Sequence, residues 1–257
     1  MDNILRINNL SFYYQENGFS MEKVTFSIEE GEIFGIIGPN GSGKTTLLRL
    51  ITGYLTPSKG SIFLYGNDLR RIDMKKRAKT ISVVPQNITT FFNFKVKEIV
   101  ALGRMPYRRE TTFLEDEKIV RDAMEKAHIL HLSDRKFFSL SGGERQRVLI
   151  AKSFAQKPKI LLLDEFTSHL DIYHQKRIID ILLREKRKNS LTILATFHDI
   201  NLASILSDKI LIMKDGKILS YGKPSDIINK DIIKETYSID PIIGPHPKYD
   251  VPQIFYP

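Results

Sequence analysis

A chain of 257 residues with 42% hydrophobic and 27% charged side chains has an ordinary globular composition, with enough apolar material for a sizeable core and no call for a disordered or fibrous class. Its longest apolar runs, IFGIIG and ILLLDEF, are strand-sized, far short of the 18 or so residues that cross a bilayer. Zero cysteines exclude disulfide frameworks and thiolate metal sites. The excess of 39 Lys and Arg over 30 Asp and Glu, a net charge of +9, is dense at Arg70 to Lys79 and Lys176 to Lys188. A solvated helical surface explains it first, an anionic lipid face second and nucleic acid last. Met1-Asp2-Asn3 places an acid where a secretory signal carries positive charge, and no apolar stretch follows before Gly31, so a cytosolic setting is expected.

In chain order, ILRINNL and VTFSI alternate like antiparallel strands. EIFGIIG is an unbroken apolar run, read as a strand buried on both faces. A glycine-rich turn follows, then TTLLRLITG, a helix with Leu47, Leu48, Leu50 and Ile51 on one side and Gly53 as its stop. SIFLYG and the residues ending at Val84 are further strands. Between Phe92 and Phe138 strand signals vanish, and EIVALG and EDEKIVRDAMEKAHIL carry helical periodicity, which predicts a helical insertion. After Leu140 come a helix through ERQRVLIAKSFA, a buried strand ILLLDE, the helix of YHQKRIIDILLREKR and a strand in LTILAT. This alternation predicts a parallel, doubly wound sheet. KILIMKDGKILSYG reads as two strands about an Asp-Gly turn, Ser225 to Tyr237 as one helix, and residues 239–257 as an aperiodic tail without assignable role.

GPNGSGKTT, residues 38–46, has the phosphate-loop pattern: Gly38-Pro39-Asn40-Gly41-Ser42-Gly43-Lys44-Thr45-Thr46. Glycines let backbone N–H groups close around phosphate oxygens. Lys44 adds charge at the β and γ phosphates, and the Thr45 hydroxyl can ligate Mg2+. The loop lies between a predicted buried strand and a helix, as that chemistry requires. Asp164 and Glu165 leave the C-terminal end of another buried strand, the edge where open α/β sheets bind ligands. Asp164 is suited to hold Mg2+ through its water shell and Glu165 to polarise an attacking water. Alone, two acids after an apolar run could equally be surface caps; the phosphate loop gives them their reading.

LSGGERQ, Leu140 to Gln146, resembles the signature motif of ABC ATPases, and the resemblance extends from LSFYY to the YG of KILSYG with the family's motifs in order. Physically, Ser141-Gly142-Gly143 opening a helix is a second anion-binding terminus. The resemblance implies that this segment meets the γ-phosphate held by the opposite subunit, so a homodimer sandwiches two ATP molecules. It also implies that Tyr14 stacks on adenine, with Phe12 and Tyr13 as alternatives. Gln86 in VVPQN would touch Mg2+ and the water, Asp171 of SHLD (Ser168 to Asp171) would cross the dimer interface, and His198 in ATFHD would be the switch histidine at the γ-phosphate. Phe166 departs from the pattern: the family usually has proline there, and loss of its fixed φ at the turn that aims Glu165 is expected to have a modest effect on rate and to leave the mechanism unchanged.

The implied fold is an α/β phosphate-loop NTPase core with a mostly parallel doubly wound sheet, an N-terminal antiparallel β subdomain and a helical insertion at about 90–158. The ATPase domain is expected to span 1–238. Glu98 to Arg109, with SHLDI and HDINLAS, is similar to ATPases of importers for ferric siderophores, haem, cobalamin and molybdate. This implies transmembrane permease partners, indirectly a solute-binding protein, and a peripheral place on the cytoplasmic face of the membrane. An efflux ATPase would share the motifs, with a different coupling surface around Arg104 to Tyr107. A soluble ABC protein acting on DNA or ribosomes typically carries two cassettes or a long insertion, so no nucleic-acid partner is expected.

Overall fold

The structure, a computed structural model, describes residues 3–14, 18–86, 93–168 and 170–255; Asn87 of VVPQN and His169 of SHLD lie outside them. The chain divides into two compact units, Met1–Ile72 with Thr192–Pro257, and Asp73–Leu191.

In the first unit, β1 (Asn3–Tyr13) and β2 (Ser20–Glu29) pair antiparallel. With β4 (Lys59–Leu64) and β5 (Asn67–Asp68) they form a sheet in the order β2-β1-β4-β5. A parallel group runs beside it in the chain: β3 (Ile33–Ile37) lies between β8 (Thr192–Thr196) and β9 (Lys209–Lys214), and β10 (Lys217–Gly222) adds antiparallel to β9. All five residues of β3 and of β8 are buried, which is why β3 reads as an unbroken apolar run. The β9–β10 turn has Asp215 at φ 48° and Gly216 at φ 72°, the left-handed pair that a two-residue hairpin needs. α1 (Lys44–Ile51) stops where expected, with Gly53 left-handed just beyond its cap Thr52.

One reading is corrected in this unit, and the tail, which the sequence left unassigned, takes a defined form. The single helix at Ser225 to Tyr237 is two, α8 (Pro224–Ile227) and α9 (Lys230–Tyr237), because Asn229 caps the second by accepting the Ile232 N–H at 3.0 Å. The tail is not structureless: β11 (Ile242–Pro245) and β12 (Pro252–Phe255) form an antiparallel hairpin, with Ile254 buried against α7 (Ile200–Leu206). Its prolines stand at strand ends, where a missing ladder donor costs little.

The second unit holds the parallel pair β6 (Ile81–Val84) and β7 (Ile160–Leu163) and five helices: α2 (Met74–Thr80), α3 (Val96–Ala101), α4 (Phe113–Lys126), α5 (Gly142–Ala155) and α6 (Ile172–Asn189). The basic run near Lys76 is α2, capped by Asp73. The GRMPYRR segment turns inward more than its charge suggests. Arg104 is 5% exposed, donates to Asp116 at 2.7 Å and to the Ala155 carbonyl at 2.8 Å, and stacks on Tyr107 at 3.9 Å. Tyr107 in turn donates to the Gln156 carbonyl at 3.0 Å. Arg104 and Tyr107 thus tie the helical region together, and a buried guanidinium is tolerable only because it is paired and hydrogen-bonded. Met105, 64% exposed, faces solvent together with Arg108 and Arg109.

Candidate functional site

In the first unit the chain leaves β3 at Ile37 and turns through Gly38-Pro39-Asn40-Gly41-Ser42-Gly43 into α1, which begins Lys44-Thr45-Thr46. The turn is closed by its own backbone and by the β9–β10 hairpin: Ser42 N–H donates to the Pro39 carbonyl and Gly216 N–H to the Ser42 carbonyl, each at 3.2 Å. A Cβ on Gly38 would lie 2.1 Å from the Met213 carbonyl oxygen, so only glycine fits there. Lys44 Nζ folds back over the loop, donating to the carbonyls of Gly38 at 2.8 Å and Pro39 at 3.1 Å. Ser42 Oγ is buried without a hydrogen-bond partner, and no side chain caps the first N–H groups of α1, which has no acid in its first turn. A helix start with no side-chain cap and no acid in its first turn, an adjacent cation and an orphaned hydroxyl suits an anion.

β3 and β8 are parallel with Ile36 opposite Thr196, and Phe197 N–H donates to the Ile36 carbonyl at 3.0 Å. Both strands therefore release the chain at one edge, and the phosphate loop and exposed His198 emerge as neighbours. Tyr14 packs edge-on to Phe12, 4.8 Å between ring centroids, and 6.3 Å from Phe19. The Phe19 ring lies 2.7 Å from the point where a Cβ on Gly43 would sit, so the aromatic cluster reaches the loop through Phe19. No local pattern singles Phe19 out. Tyr13, by contrast, is 57% exposed.

In the second unit β6 and β7 do the same for a polar pair. Asp164 N–H donates to the Val84 carbonyl at 3.0 Å, and beyond the two strand ends Gln86 Nε2 donates to Glu165 Oε2. Asp164 is 8% exposed. Glu165 holds a left-handed backbone, φ 48°, a state that costs a side-chain-bearing residue about 1–2 kcal/mol. The surrounding turn retains it: Ser168 N–H donates to the Glu165 carbonyl at 3.0 Å, and Gln175 Nε2 donates to the carbonyls of Thr167 and Leu170 at 3.3 and 3.1 Å. Phe166, 3% exposed, anchors the same turn by burial. A buried ring and these hydrogen bonds stand where the family's proline would fix φ.

Ser141 caps α5 in a reciprocal box. Its Oγ accepts the Glu144 N–H at 3.3 Å, and the Glu144 carboxylate accepts the Ser141 N–H at 2.9 Å. That backbone donor holds the Glu144 carboxyl below the usual range. Gly142 is exposed and Gly143 buried, and a Cβ on Gly143 would lie 2.3 Å from the His174 ring. Asp171 caps α6 by accepting the His174 N–H at 2.8 Å. His174 thus touches both the Ser141–Gly143 turn, through its ring, and Asp171, through its backbone N–H, contacts that no spacing announces. Gly143→Ala is expected to push a methyl into that imidazole and lower steady-state ATP hydrolysis by roughly tenfold. Partial recovery in the Gly143→Ala, His174→Ala double variant is the expected check; no recovery would place the effect elsewhere.

The structure thus brings Tyr14, the phosphate loop and His198 together in one unit. In the other it joins Gln86 to Asp164 and Glu165, and Ser141–Gly143 to Asp171. A strand-loop-helix phosphate cradle on a parallel sheet defines a phosphate-loop nucleotide-binding protein. Residues 21–168 match the ABC transporter family. An uncharacterized ABC transporter ATP-binding protein of Bacillus subtilis is 40% identical over 223 residues, 86% of this chain and 50% of that protein, so the chain spans half the length of this relative. A hemin import ATP-binding protein of Gloeobacter violaceus is 35% identical over 241 residues, 91% of this chain and 87% of that protein. Among solved structures, a metal-chelate type ABC transporter in an inward-facing conformation matches with a TM-score of 0.86 and 28% identity, over 99% of this chain and 98% of that one. The chain belongs to the ABC transporter family and carries its ATP-binding, ATP-hydrolysing cassette.

Proposed function

We propose that this chain drives a membrane importer for a metal chelate, of the iron-siderophore or haem type, as a homodimer bound to separate permease subunits supplied by a solute-binding protein. The observation that carries this reading is the Ser141-Gly142-Gly143 turn at the start of the 14-residue α5, in a chain that already owns a phosphate loop. Each copy has two glycine-rich helix starts of different design, one uncapped at Lys44 and one opened by Ser141. Two copies related by a twofold axis can then give every triphosphate one of each. The likeness to a hemin import protein and a metal-chelate type transporter supports the solute class.

In this reading the loop from Gly38 to Thr46 holds the phosphates with Lys44, and Tyr14 stacks on adenine. Among the described residues no three His, Asp or Glu gather into a metal cage. Mg2+ would be held chiefly by phosphate oxygens and water, with Thr45, Asp164 and Gln86 as its protein contacts. When bound, the ion neutralises charge developing on the β and γ oxygens. Glu165 accepts a proton from the attacking water, His198 reaches the γ-phosphate, and Ser141–Gly143 with Asp171 of the second copy seal the site. ATP binding favours the closed pair and hydrolysis reopens it. No described helix is long and apolar enough to cross a membrane. In this reading the chain attaches to the cytoplasmic face through the permease.

Co-expression with candidate permeases tests the reading. A permease retained through detergent purification, with ATP hydrolysis stimulated in the complex, supports it. Nuclease-sensitive association with nucleic acid and no retained permease would overturn it.

A further inference from the structure

His198 is carried on a short span between two anchors. On one side Phe197 N–H is held by the Ile36 carbonyl at 3.0 Å. On the other is α7, seven residues long, well below the length at which a helix holds itself in water. Its first turn is capped by Asp199, which accepts the N–H groups of Asn201 at 2.8 Å and Leu202 at 3.1 Å. The inner face packs on β3 through buried Ile200 and Ala203. The outer face is held by the tail hairpin. Asn201 Nδ2 donates to the Ile254 carbonyl at 3.0 Å, and Asn201 Oδ1 accepts the Ile254 N–H at 2.7 Å, so one side-chain amide takes both backbone groups of a single β12 residue. One turn further on, Ser204 Oγ donates to the Pro252 carbonyl at 3.0 Å. An asparagine amide used in this way replaces the peptide unit of a neighbouring strand.

We propose that Asn201, clamped by the β11–β12 hairpin, is a positioning residue that sets the backbone of His198; the proposal rests on His198 serving as the γ-phosphate switch. Asp199 couples the two. Its carboxylate holds the Asn201 N–H, so an α7 that frays or swings when β12 lets go takes the residue after His198 with it. A histidine that must meet a phosphate oxygen within hydrogen-bond reach depends steeply on such placement. The tail thereby acquires a function in the catalytic cycle with no residue of its own touching the nucleotide.

The test uses the full chain. Asn201→Ala is expected to lower kcat for MgATP hydrolysis about tenfold while KM stays within about twofold, because the phosphate loop is untouched. In the 15N-histidine spectrum with a non-hydrolysable MgATP analogue bound, the His198 ring signal is expected to shift or broaden. Ser204→Ala removes one bond from the same clamp and serves as the second variant, with the same changes at smaller size, should Asn201→Ala not fold. An unchanged kcat in both variants, or a fall in kcat with the His198 signal unmoved, overturns the positioning role and leaves the switch reading standing. His198→Ala with full turnover removes the switch itself, and the clamp proposal with it.

Discussion

Replacing Glu165 with glutamine is expected to cut ATP turnover by about a thousandfold while leaving MgATP affinity within about twofold, so that an ATP-bound dimer accumulates on a sizing column. The substitution is close to isosteric. The turn is held through the Glu165 carbonyl, the Gln175 amide and buried Phe166, so the left-handed backbone at that position should survive. What disappears is the carboxylate at the end of β7 that combines a proton-accepting oxygen with a bond to Gln86. General-base assistance is worth about 10²–10⁴ in rate, and with binding intact that loss falls on kcat. Turnover within tenfold of the parent in Glu165→Gln would remove this carboxylate from the role of base.

Lys44→Ala is expected to fail one step earlier, with MgATP affinity down by about a hundredfold or more in an equilibrium titration. Two losses combine. The cation beside the phosphates goes, and charge-assisted bonds to phosphate are roughly twice as strong as neutral ones. The loop also loses the side chain that bridges the Gly38 and Pro39 carbonyls, so the cradle is no longer held in shape before nucleotide arrives. Affinity equal to the parent's would contradict the assignment of the loop. The two variants separate cleanly: one binds without cleaving, the other barely binds.

The features legible along the chain share a short range. The apolar run of β3, the glycine turn, the Gly53 stop after α1 and the Asp215-Gly216 hairpin are each decided within a few residues, by burial on both faces or by the φ values a turn demands. The phosphate loop was readable for the same reason, since its donors, its lysine and its helix start are contiguous. Asp164 and Glu165 could be placed at a strand end from pattern alone, but not the bond that joins Glu165 to Gln86, 79 residues away.

By itself, then, the sequence determined that this is a phosphate-loop ATPase with a signature helix, because those motifs are local and their chemistry follows from adjacent backbone donors. Tertiary structure decided the rest. It turned Arg104 into an internal brace, set His174 between Gly143 and Asp171, put Phe19 against the loop, and made the aperiodic tail a hairpin clamped by Asn201, whose partner Ile254 is 53 residues on. A hydrogen bond or ring contact between residues far apart in the chain imposes no period and no spacing, so nothing in the linear order betrays it before the strands and helices are assembled.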